Sequence, residues 1–174
     1  MSHRKDTDYL SVSARVRAME NRLLTRDRMD RMIDAADDGE ARKVLAECGY
    51  PEGGSLDQAL AQARADVFRD MESAVPDPRL VEIFQLKYDY HNGKTLLKAA
   101  AMGRDPQPIL LPGGRYDPAQ LAEGWRREEL RGCSPAFQTA MAQAKAVLED
   151  SHDPQQADLI LDRACYAEME LLAR

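Results

Sequence analysis

In each of the pairs Asp77-Pro78, Asp117-Pro118, Ser134-Pro135 and Asp153-Pro154 a helix-capping residue stands immediately before a proline. Proline has a fixed φ and no amide hydrogen, so it breaks a helix interior but fits the first helical position, where an amide would lack a partner anyway. The short polar side chain before it accepts a bond from the next free amides. These pairs predict helix starts. The helix opened by Pro78 should run to about Met102, and two later ones are followed by apolar stripes at helical spacing: Phe137, Met141, Ala144 and Leu148, then Ala157, Ile160, Ala164, Ala167 and Leu171.

The first part of the chain reads the same way. Tyr9, Val12, Val16, Met19 and Leu23 form one stripe, and Thr25 caps a helix containing Met29, Met32, Ile33 and Ala36. Asp38 is the expected cap of a helix through Ala41, Val44 and Leu45 that stops at Gly49, with Pro51 just beyond. Ser55 and Gln58 fit a capping box ahead of Leu56, Leu60, Ala63, Val67 and Met71. Nowhere do residues alternate convincingly as a strand. The expected fold class is all-α, with antiparallel helices.

Composition narrows the function classes. With 174 residues, 44% hydrophobic and 31% charged, the chain can fold as one domain, or as one repeat and part of the next. No window approaches the roughly 20 apolar residues of a membrane span, and no apolar signal core follows the first residues, so a soluble cytosolic protein is expected. The formal charge of -6 argues against a general nucleic-acid partner. It is uneven: residues 1–31 carry eight Lys or Arg against five acids, residues 32–85 five against twelve. Cys48, Cys133 and Cys165 form no CxxC pair and read as buried or incidental thiols.

The chemistry-bearing side chains do not assemble into a catalytic, cofactor or metal site. Asp89 and His91 are two residues apart and point about 200° away from each other on a helix, so they cannot converge on one atom. His3 and His152 are distant in sequence, and His91 reads as an interior histidine held by a hydrogen bond. Asp89 and Asn92 share a side of their helix and suit binding the backbone end of a neighbouring helix. Phe84, Tyr88 and Tyr90 read as core and helix contacts, and Leu111-Pro112-Gly113-Gly114-Arg115 as a tight turn, since it lacks the phosphate-loop pattern. Arg15 and Arg22, seven apart, are expected to share a basic face that Arg26 and Arg4 extend; it is either simply solvated or docks on an acidic partner.

The segment Leu86-Lys87-Tyr88-Asp89-Tyr90-His91-Asn92-Gly93-Lys94-Thr95-Leu96-Leu97-Lys98-Ala99 resembles the hallmark helix of the C subunits of V-type (A-type) ATPases, the family that includes the eukaryotic d subunits. Tyr9 to Arg17 resembles the family's opening helix, Leu110-Leu111-Pro112-Gly113-Gly114 the loop after the hallmark helix, and Leu159 to Met169 the helix that opens the second repeat. The resemblance implies a funnel-like fold of three similar helical units, of which residues 1–152 would be the first and residues 153–174 the first helix of an incomplete second. It further implies a non-catalytic rotor adaptor in the central stalk, peripheral to the membrane, whose partners are the proteolipid ring and the shaft subunits. A stand-alone helical interaction or regulatory module derived from the same family is the alternative. Gly93 departs from the branched aliphatic the family usually carries; either a neighbouring helix approaches closely there or the helix bends.

Overall fold

The computed structural model describes residues 5–174, so His3 and Arg4 lie outside the described residues. Among the described residues every regular element is helical. The α-helices are α1 Leu10–Glu20, α2 Arg26–Ile33, α3 Asp38–Glu47, α4 Leu56–Ala74, α5 Arg79–Met102, α6 Pro118–Arg126, α7 Pro135–Ser151 and α8 Pro154–Leu172. They divide into two compact units, Met1–Pro76 and Asp77–Arg174.

The starts follow from the capping chemistry. Asp117, Ser134 and Asp153 accept from the amides of Gln120, Phe137 and Gln155, each with proline at the start of its helix. Ser55 and Gln58 close both bonds of their capping box, and Thr25 Oγ1 accepts from Arg28 N. Two caps differ from expectation by one residue. Asp37, not Asp38, caps α3, and Pro78 rather than Asp77 is the cap position of α5, Asp77 instead accepting from the amide and guanidinium of Arg79. α1 stops at Glu20 and α2 at Ile33, so Leu23 and Ala36 are outside them.

In the first unit α2 packs on α3, where Arg31 donates two 2.9 Å bonds to Glu47, and α1 meets α4, where Arg15 pairs with Asp70. In the second unit α5, α7 and α8 pack on one another with α6 against α5. Their shared core holds Leu86, Tyr90, Leu97, Leu121, Phe137, Met141, Ala144 and Leu161. Tyr90 meets Phe137 edge-on at 5.2 Å between ring centroids, a favoured aromatic geometry. The predicted stripe of α8 is inward only over its first half: Ala157 is buried and Ile160 and Ala164 pack partly buried against the core, but Ala167 and Leu171 are exposed, Leu171 at 62%, and Leu161, Cys165 and Glu168 are buried instead.

Candidate functional site

The middle of α5 holds the loop that follows it. Asn92 is fully buried, donating from Nδ2 to the Leu111 carbonyl at 2.8 Å and accepting from the Leu111 amide at 2.8 Å. One amide side chain thus gives an isolated loop residue both of the bonds a strand neighbour would. Asp89, one turn earlier and equally buried, accepts from Arg115 Nε at 2.8 Å and from the Tyr116 amide at 3.3 Å. Their partner is therefore this loop and not the backbone end of a helix. Gly114 lies so close that a Cβ on it would run into Asp89 Oδ1.

Arg115 carries the link further. Its Nη1 donates to Glu168 Oε1 on α8 at 2.9 Å, and Tyr90 OH donates to Glu168 Oε2 at 2.8 Å. The guanidinium side chain is only 13% exposed, so desolvation works against its charge. The bonds to Asp89 and Glu168 outweigh that and hold its pKa above the ordinary arginine value. Burial pushes the Asp89 carboxyl upward, with Arg115 pulling the other way. The Tyr90 hydroxyl is pushed well above its usual range, first by burial and then by Glu168. Tyr116 next to Arg115 accepts the Ser134 amide at 2.7 Å, joining the loop to the start of α7.

Gly93 marks a close approach of α5 and α7. A Cβ there would lie 2.8 Å from Met141 Sδ and 3.2 Å from Phe137 Cζ, both on α7, while α5 continues unbroken through it. Close approach is thus the reason for the glycine. The other predicted residues are not drawn into this cluster. His91 is half-buried with Nε2 enclosed and unbonded among the described residues, so the expected histidine hydrogen bond is absent at that nitrogen. Tyr88 is half-buried and Phe84 is exposed, leaving Tyr90 as the aromatic of that group in the core. Arg15 is tied to Asp70, and Arg22 falls in the turn after α1, its stem over Gly49. The two arginines therefore share no single helix face, because the helix ends between them.

No group of His, Cys, Asp or Glu that could hold a metal ion occurs among the described residues. The carboxylates of the α5 cluster are bonded to a guanidinium, a hydroxyl and an amide, and the arrangement joins three segments of chain.

A sequence profile of the family described as ATP synthase (C/AC39) subunit matches residues 12–173. The chain belongs to this family. It is 23% identical over 171 residues to the C subunit of the V-type sodium ATPase of Enterococcus hirae, covering 95% of this chain and 52% of that relative. It is 28% identical over 153 residues to the C subunit of the V-type ATP synthase of Deinococcus radiodurans, covering 75% and 42% respectively. The chain spans about half the length of these curated relatives. No solved structure matches it significantly.

The C subunits of V-type ATPases are structural, non-catalytic components, and the α5 cluster has the matching character. Arg115, Glu168, Gly114 and Tyr116 belong to it, although sequence reasoning does not mark them as site residues. Arg115 and Gly114 sit in a segment whose glycines signal only a turn. Glu168 lies on a helix where periodicity marks apolar positions, and a glutamate on the inner face leaves no periodic trace.

Proposed function

We propose that this chain is a rotor adaptor of the central stalk in a rotary ion-translocating ATPase, joining the soluble shaft to the membrane proteolipid ring. The observation that carries the reading is the match to the C/AC39 family running through residues 12–173. The packing role of the hallmark helix supports it, because a part that transmits torque needs segments tied together rather than a reactive pocket. In this reading residues 1–152 are the first helical unit of the family fold and residues 153–174 open the second, a division by family repeat and not by the compact units of the structure, in which α8 packs on α5 and α7. The protein works on the cytoplasmic side, peripheral to the membrane through the complex; no described helix is long and apolar enough to cross a bilayer.

Of the two arginines expected on a docking face, Arg22 is the better probe, since Arg15 is paired with Asp70 inside its own unit. The chain is mixed separately with purified proteolipid ring in detergent and with the shaft-bearing soluble sector. It should sediment with both and leave ATP hydrolysis by the soluble sector unchanged. Arg22→Glu should weaken one of these associations without lowering the melting temperature, and more so at low salt if the partner surface is acidic. Failure to bind either partner would overturn the adaptor reading and favour a stand-alone helical interaction module.

A further inference from the structure

Loop residue Arg115 bonds at once to Asp89 on α5 and Glu168 on α8, and Tyr90 OH, itself in the core, also depends on Glu168. Two carboxylates from different helices thus share one cation supplied by a third segment. From this we infer that the loop 110–116 is a strap coupled to α8, the two closed together as one latch with Arg115 as its pin.

The coupling has a physical cause on each side. If the strap lifts, Asp89 and Glu168 are left as unpaired carboxylates facing a shared interior, and α8 is driven out with Glu168. If α8 lifts, Arg115 loses one of its two close ionic partners and Tyr90 loses its acceptor. Either departure makes the other easier.

Along the rest of its length α8 packs on α5 and α7. Its two other cross-links, Lys94 with Asp162 and Lys98 with Asp158, are partly solvent-exposed, where ion pairs contribute little. Its buried apolar residues are Ala157, Leu161 and Cys165, with Ile160, Ala164, Met169 and Leu172 partly buried against the same core. Leu159, Tyr166 and Leu171 face outward. α5 stops at a left-handed cap, Gly103 (φ 60°), with a 3-10 turn Gln107–Ile109 before the strap, and α7 stops at His152, a non-glycine residue in the left-handed region (φ 55°), just before α8.

Hydrogen exchange read by mass spectrometry on the full chain tests the latch. Arg115→Met removes the pin. Gly114→Ala keeps it but drives a methyl group into Asp89 Oδ1, propping the strap open by a different route. Both variants should speed exchange at least tenfold in 110–116 and in 154–172 by similar factors, while 86–97 of α5 and 137–141 of α7, packed on each other through Gly93, stay protected. Faster exchange in the strap with α8 unchanged would overturn the coupling. Equal acceleration through α5 and α7 in Gly114→Ala, or a chain that fails to fold in both variants, would show a general structural role and also overturn it.

Discussion

A methyl group at position 93 would sit 2.8 Å from Met141 Sδ and 3.2 Å from Phe137 Cζ. Alanine is favoured over glycine in a helix by up to about 1 kcal/mol, whereas overpacking a core typically costs about 1–3 kcal/mol. Met141 can swing aside, but Phe137 is held against both Tyr90 and Tyr116, so overpacking wins. Gly93→Ala should lose about 1 kcal/mol and Gly93→Leu about 3 kcal/mol or more, read as urea midpoints at unchanged slope. Arg115→Met, which strands Asp89 and Glu168, should cost about 3–5 kcal/mol in the same assay. Burial, assisted by Asp162 and Glu168, pushes the Cys165 thiol up to about 11 from 9.0. The folded state therefore holds this proton longer than the unfolded state, and the associated stability is complete below pH 9.0 and lost as the pH rises toward about 11. Iodoacetamide at pH 8 should accordingly label Cys165 at least about tenfold more slowly in the native chain than in urea, since the thiolate is the reactive form.

At the scale of elements, the helix starts are local events. The Asp117, Ser134 and Asp153 caps are each made within two or three residues, so each replaced by alanine should cost about 0.5–2 kcal/mol with little change in native structure. The inner face of a helix is not local. α8 has apolar residues on two neighbouring stripes, and the one including Ala167 and Leu171 looks better by hydrophobicity alone. The structure buries Leu161 completely and leaves Leu171 62% exposed. Leu161→Ala is expected to cost about 2–5 kcal/mol and Leu171→Ala less than about 0.5 kcal/mol, and thermal melts of the two variants will distinguish the faces. The rotation that chooses between them brings Glu168 to Arg115 and Tyr90, a gain that no apolar count on α8 can register.

For the whole molecule, the two compact units differ in how much each encloses. The unit Asp77–Arg174 has an apolar cluster spanning α5, α6, α7 and α8, with the Arg115 latch at its edge. In the unit Met1–Pro76 the buried apolar residues among those described are Val12, Val44, Leu45, Cys48 and Ala59. A single core in a chain below about 70–80 residues rarely supplies more than about 3–5 kcal/mol. Residues 77–174 expressed alone should therefore keep their helical circular dichroism and melt cooperatively, whereas residues 1–76 alone should melt broadly at lower temperature. A sharp, high-temperature transition from residues 1–76 alone would contradict this estimate of their core.

The amino-acid sequence by itself determined the all-helical class, where most helices begin, and the family, because caps, prolines and a contiguous hallmark segment act through neighbours a few residues away. It also marked Asp89, Asn92 and Gly93 as unusual on a helix that otherwise packs. What they hold was a tertiary outcome: the partners of Asp89 and Asn92 lie in the following loop, and those of Gly93 lie on α7. Only the tertiary structure could end α1 before Arg22, turn α8 so that Glu168 faces inward, and give Arg115 two carboxylates. A buried charge is tolerated only where distant segments bring its counter-charges within bonding distance, and that distance is set by packing, not by spacing along the chain.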